Sequence, residues 1–250
     1  MIISFMVFIA VFTLIVLVHE LGHFIAARKA GVKVYEFSIG FPFSPRLLTL
    51  FRHKETLFTV RLLPLGGFVS FSQDDGEDDI ELFKTSNNKR AIILSAGSLF
   101  NIAFAFMVFI PVFMIGKHFN IIDAIAMSAK TVWEILSGTV AVLLNLLLGH
   151  GGMEGLAGPV GIAAMAGKAA GKGFLNLIYF TGVLSMSLGI MNLFPLPALD
   201  GGQLVMLLIE AIKKKPLRLK TYQAVNLIGF ALFIILSVLV TYRDVVKLIA

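Results

Sequence analysis

Hydrophobic positions in this chain come in long unbroken runs, not in the half-polar stripes of soluble helices. The first run is uncharged from Met1 to Val18 and resumes at Phe24-Ile25-Ala26-Ala27, giving a span over about 1–27. Three more uncharged runs cover about 91–116, 173–199 and 221–242. Each is long enough for a bilayer, which needs about 20 apolar residues. The first run lacks a basic start and exceeds a signal-peptide core, so it is expected to be retained. A further uncharged stretch, 135–148, has only 14 residues. With the residues before it, it reads as an interfacial or re-entrant helix over about 120–148. Between the first two spans, residues 55–72 alternate in strand fashion: Thr56, Phe58, Val60 and Leu62 share one face, and Pro64-Leu65-Gly66-Gly67 offers a turn. A β-hairpin is expected there, apolar enough to dip into the membrane. Such backbone survives at membrane depth only when buried in protein or lining a wet cavity. The fold class is therefore an α-helical polytopic membrane protein with about four transmembrane helices, a membrane-associated β-hairpin and an interfacial helix. It is read as one domain over residues 1–250.

Composition agrees. Of 250 residues, 58% are hydrophobic and 14% charged, against about 25% charged in soluble domains. A free cytosolic enzyme and a secreted domain are excluded, and the lipid bilayer becomes the first partner. The net charge of +6 is no nucleic-acid signature, because the basic residues flank the apolar spans. Residues 28–90 carry 10 Lys and Arg and residues 213–220 carry 5, whereas 116–172 carry 4 and the C-terminal tail 2. By the positive-inside rule the loops after spans one and three face the cytoplasm and both termini lie outside. The expected location is a cell inner (plasma) membrane. An acidic run, 74–81, reads as a solvated loop. The chain has no cysteine, so disulfides, thiolate metal sites and a cysteine nucleophile are excluded.

Chemistry is concentrated at His19-Glu20-Leu21-Gly22-His23. Positions i and i+4 share a helix face, so both imidazoles can point at one metal, and the intervening Glu can deprotonate a metal-bound water. A carboxylate beside a bilayer costs about 2.5–3.5 kcal/mol on insertion scales, so three such groups in one span imply a use. Catalytic zinc usually takes three protein ligands. The candidates for the third are His53, His118, His150 and the acids. Asp200 stands out, because it ends the uncharged run 173–199 after Asn192, Pro195 and Pro197 and before Gly201-Gly202. Prolines that break a helix and glycines that permit tight backbone mark irregular functional backbone at membrane depth. The other reading of Asp200 is a helix cap, and Glu36 is a weaker ligand candidate. Gly97 and Ser98 suit close packing of span two against span one. Asn101 is either a helix-to-helix contact or a group that orients a ligand or a peptide.

These motifs resemble the site-2 protease family of intramembrane zinc metalloproteases. The chain carries the family's HExxH at 19–23, its LDG motif at 199–201 preceded by N-x-x-P-x-P at Asn192, Pro195 and Pro197, its GxxxN at Gly97 to Asn101, and GPVG at 158–161. The resemblance implies that His19, His23 and Asp200 bind one Zn2+ per chain and that Glu20 is the general base. It implies that Asn101, Asn192, Pro195 and Pro197 help hold the substrate, with the hairpin and its Gly66-Gly67 presenting an edge to it. The implied substrate is a single-span membrane protein or a remnant signal peptide, cut in regulated proteolysis. Many bacterial relatives insert a PDZ domain between spans two and three; residues 116–172 leave no room for one. A metal-ion transporter and a catalytically inactive membrane adaptor are the alternative readings. One broken segment without an internal repeat speaks against the first, and intact Glu20 against the second. No segment specifies an oligomeric state.

Overall fold

The structure is a computed structural model that describes residues 2–42, 44–63, 66–72, 80–150 and 157–249. In chain order the elements are α1 (Ile2–Ala30), β1 (Glu36–Ile39), β2 (Arg46–His53), β3 (Thr56–Arg61), β4 (Gly67–Ser70), α2 (Ile80–Phe83), α3 (Asn87–Lys117), α4 (Ile121–Leu147), α5 (Pro159–Gly171), α6 (Phe174–Leu193), α7 (Asp200–Lys213) and α8 (Leu219–Ile249). The turn residues Pro64 and Leu65 and most of the acidic run lie outside the described residues.

The chain is a multi-pass helical membrane protein with a small sheet. Five described helices are long and apolar enough to cross a bilayer by length and composition: α1, α3, α6 and stretches of α4 and α8. Four match the expected spans. The fifth, α4, extends the expected apolar stretch back to Ile121. It starts where Asn120 Oδ1 accepts the Asp123 backbone N–H at 2.9 Å, an N-cap contact. Lys130 and Glu134 face away on its exposed side, 3.8 Å apart, while Ala124, Met127, Ile135 and Val140 turn inward.

Contacts divide the chain into two compact units. The helical unit comprises Met1–Val11, Ile102–Met191 and Gln223–Ala250. Its core gathers Ala105, Phe109 and Phe113 of α3, Ala124 of α4, and Met186 and Ile190 of α6. Gly182 lets α6 approach Phe109, whose Cε1 lies 2.6 Å from where a Cβ would stand. The GPVG element begins α5 and is held from α8: the backbone N–H groups of Gly158 and Gly161 donate to Asp244 Oδ2 at 2.7 and 3.0 Å. Asp244 is buried, and its charge suits the positive end of a helix.

The second unit comprises Phe12–Asn101 and Asn192–Tyr222. Here α1 ends in a Schellman turn. Gly31 takes φ +77°, its N–H donates to Arg28 O, and Val32 N–H donates to Ala27 O at 2.9 Å. Ala27 and Val32 then join Val34, Phe71, Leu82 and Ile93 in one apolar cluster. The four strands form one sheet in the order β2-β3-β1-β4. The expected hairpin is therefore corrected in its pairing. β3 pairs antiparallel with the preceding β2, and β1 inserts between β3 and β4, parallel to the first and antiparallel to the second. The four-residue β1 escapes sequence reading because it starts with an acid. Glu36 is buried there, paired with Arg61 and Arg46 at 3.0 Å each and hydrogen-bonded by Thr59. The exposed apolar strand is β2, with Leu47, Leu48, Leu50 and Phe51 uncovered.

The α5–α8 connection gives a stability prediction. Asp244→Ala leaves one buried and one part-buried amide without their acceptor and is expected to cost about 2–3 kcal/mol. The thermal unfolding midpoint in detergent measures it, and a midpoint equal to wild type would contradict it.

Candidate active site

The second unit carries every residue of the site. On α1, His19 and His23 are buried one turn apart, their rings edge to face with centroids 4.7 Å apart. Their Nε2 atoms lie 3.1 Å from each other. Asp200 Oδ2 lies 3.0 Å from His19 Nε2 and 3.3 Å from His23 Nε2. Among the described residues, these three form the cluster whose ligand atoms converge.

The chemistry of this triangle fits a metal. His23 Nδ1 lies 2.7 Å from the Ile93 carbonyl. A carbonyl only accepts, so Nδ1 carries a proton, and in the neutral ring Nε2 presents a lone pair. Asp200 Oδ2 is buried and faces both Nε2 atoms. In that tautomer a lone pair and an anionic oxygen stand 3.3 Å apart, a setting that suits a cation between them. Ligand atoms on a tetrahedral zinc at about 2.0–2.1 Å stand about 3.3 Å apart, close to all three spacings. His19 Nδ1 is buried and has no hydrogen-bond partner among the described residues.

Local backbone makes the convergence possible. α6 stops at Leu193 because Pro195 and Pro197 supply no N–H and push their preceding residues out of helical geometry. The chain then turns tightly, with Leu196 N–H donating to Phe194 O at 2.7 Å and Ala198 at φ +69°. Gly201 and Gly202 pack under this turn. A Cβ on Gly201 would overlap the carbonyl oxygens of Leu193 and Phe194, and one on Gly202 that of Leu196. Leu199 is the N-cap residue of α7, and the Asp200 carboxylate in the first turn lies against the two imidazoles. Across the site, α3 meets α1 through glycines. A Cβ on Gly22 would stand 2.5 Å from Ala96 O, and one on Gly97 would stand 2.5 Å from His23 Nε2 and 2.8 Å from His19 Nε2.

The remaining candidates fall into place around this centre or away from it. Glu20 lies beside β4: Gly67 has its Cβ direction 3.6 Å from Glu20 Cγ. Gly66 takes φ +92° against Val16. Asn101 is fully buried one turn beyond Gly97. Asn192 and Pro197 are half-buried and Pro195 is exposed on the segment that leads to Asp200. Glu36 belongs to the sheet's ion pairs. His53, His118 and His150 are exposed and stand outside the cluster. Sequence reading missed the Ile93 carbonyl, since a backbone acceptor 70 residues away leaves no mark on residue type.

Comparison with known proteins agrees with this chemistry. The family model described as peptidase family M50 matches residues 7–236. A protein of Clostridium perfringens named "Putative zinc metalloprotease" is 28% identical over 94% of this chain and 96% of its own length. That alignment runs over 325 positions, more than the 250 residues here, so the relative carries residues this chain lacks. The Bacillus subtilis "Regulator of sigma-W protease RasP" is 38% identical over 52% of this chain and 31% of that protein. The Geobacillus kaustophilus "Zinc metalloprotease RasP" is 44% identical over 46% and 26%. The chain belongs to peptidase family M50, the site-2 proteases, and is a zinc metalloprotease of the membrane.

Proposed function

We propose that this chain is an intramembrane endopeptidase that cuts a single-span membrane protein, or a remnant signal peptide, within or near its membrane segment, as a step in regulated proteolysis. The observation that carries this reading is the convergence of His19, His23 and Asp200 beside Glu20, on a helix apolar enough to span a bilayer.

In this reading His19 Nε2, His23 Nε2 and Asp200 Oδ2 hold one zinc, with His23 oriented by the Ile93 carbonyl. When bound, zinc supplies Lewis acidity that polarises the scissile carbonyl and acidifies water. Glu20 takes the proton of the attacking water on its carboxylate and returns it to the leaving amine. The substrate helix must first unwind, because a helical amide is shielded by its own hydrogen bonds. β4 is an edge strand of the sheet and runs beside Glu20, so an unwound segment adding to this edge lies extended along the base. Gly66 and Gly67 let that strand lie close against α1 at Val16, Leu17 and Glu20, which brings the substrate edge next to the base. Asn192, Pro195 and Pro197 form the wall leading to Asp200. Asn101, fully buried, suits holding α3 in place more than meeting the peptide directly.

The orientation proposed is both termini outside and the active site towards the cytoplasm. The charge distribution supports it. So does parity. Asp200 follows α6 and meets His23 on α1, so α1 and α6 must run in the same direction across the membrane. One intervening crossing, α3, satisfies this, and α4 then lies on the outer face.

Four outcomes test the reading. Purified wild type is expected to hold one zinc per chain, and Asp200→Ala to lose most of it. Glu20→Gln is expected to keep zinc and lose cleavage by at least about 10²–10⁴-fold; unchanged cleavage would remove Glu20 from its role. Gly97→Ala puts a methyl group against both Nε2 atoms and is expected to lower zinc content while the protein remains folded. Because the chain has no cysteine, single cysteines at the two ends can be labelled with an impermeant maleimide. Labelling of both from the outside is expected, and labelling of one alone would break the parity.

A further inference from the structure

A polar pocket of about 350 Å³ opens where α3 begins and α7 ends, walled by Phe83, Asn87, Arg90, Glu210, Lys214 and Lys215. At its base is a buried ion pair. Arg90 and Glu210 are only 5% and 3% exposed. Arg90 Nη1 donates to Glu210 Oε2 at 2.7 Å and Nη2 donates to Tyr222 Oη at 2.8 Å. The Leu217 backbone N–H donates to Glu210 Oε1 at 2.8 Å. Both carboxylate oxygens are thus engaged and the acid is matched by the guanidinium. What remains is a surplus of donors. Arg90 lies over the Phe83 and Tyr222 rings, and the exposed rim adds the Lys214 and Lys215 side chains. Three cations against one carboxylate leave the pocket at +2. Lys214 is the left-handed residue that ends α7, at φ +52°. Glycine is the easiest residue there, yet the chain places a cation at the pocket mouth.

An asparagine amide and two surplus positive charges around an open polar pocket suit a compact anion rich in acceptor oxygens, and phosphate is the anion of that description. The pocket's place in the chain favours one source. Asn87 opens the candidate span Asn87–Lys117, and Tyr222, which holds Arg90, opens the candidate span Lys220–Val246. The starts of two spans lie at the level of lipid headgroups, where basic residues bind anionic lipid. We propose that this pocket binds the phosphate of an anionic glycerophospholipid headgroup. Neither zinc nor the peptidase reaction enters this inference.

The full chain, stripped of lipid in detergent, tests it. Phosphatidylglycerol, phosphatidylcholine and inorganic phosphate are titrated separately, with bound lipid counted by native mass spectrometry and stability read as the thermal midpoint. Phosphatidylglycerol is expected to bind saturably and raise the midpoint, with phosphatidylcholine much weaker. Lys214→Gly combined with Lys215→Gln removes both rim charges while relieving the left-handed position, so it is expected to fold. It should weaken phosphatidylglycerol binding by about fivefold per lysine lost. Lys117→Gln with Lys172→Gln removes the same charge from exposed positions outside the pocket and should leave binding near wild type. If inorganic phosphate alone reproduces the shift and displaces the lipid, with the same loss in the rim variant, the lipid source is overturned in favour of a soluble one. Absence of phosphatidylglycerol binding, or equal binding in the two double variants, overturns the pocket itself.

Discussion

Two imidazole nitrogens and a carboxylate oxygen meet within 3.3 Å in the interior of this protein, and most of the second unit is arranged to make that meeting possible. The Ile93 carbonyl fixes His23 with its Nε2 turned towards the Asp200 oxygen, the arrangement of a metal-ligand set. The helical i, i+4 spacing supplies two of the three atoms from one rigid element. The third must arrive from a helix start some 180 residues later, and that requirement explains the irregular stretch before it. α6 has to stop, turn and restart within a few residues, which is what two prolines and two glycines accomplish.

The same requirement sets the helix contacts. Space in front of the two Nε2 atoms is kept by the absence of a side chain at Gly97, and α3 comes close enough to offer the Ile93 carbonyl because Gly22 lets it. One small residue on each helix therefore serves two purposes, clearance for the metal and orientation of its ligand. The edge strand β4 is tied to the same place at Gly67, whose Cβ direction meets Leu17 and Glu20. The His/Asp cluster, Glu20 and the strand edge are consequently set along a single stretch of α1, from Val16 to His23.

Much of this is legible in residue types. HExxH in an apolar run, the embedded N-x-x-P-x-P with its following Asp, and the small-residue spacing of span two place the site before any coordinates, because each pairs a costly residue with a setting in which cost implies use. The sheet is less legible. β1 is four residues long and opens on Glu36, and its strand character comes from Arg46, Arg61 and Thr59 arriving from other strands to satisfy that acid. A reading of alternation alone pairs β3 with β4, the nearest apolar neighbour. Tertiary partners decide such an element, and those partners are not neighbours in the chain. α4, by contrast, follows the helix expected over about 120–148, because Asp123, Lys130 and Glu134 lie on one exposed side and leave the inward face intact.

The buried carboxylates separate architecture from chemistry. Glu36 rests on two arginines and a threonine, Glu210 on an arginine and a backbone amide, and Asp244 on two backbone amides at a helix start. Each is matched by groups that can only donate, or by a hydroxyl free to do so, and such a pairing is complete as it stands. Asp200 is different. Its neighbours are two imidazole nitrogens, and His23 in its neutral form bears a lone pair there by its tautomer. A carboxylate taken from water without matched donors is costly, and a membrane setting raises that cost. The three satisfied acids hold helices and strands together. The fourth has its charge directed at two imidazoles, a donor set that suits a bound cation.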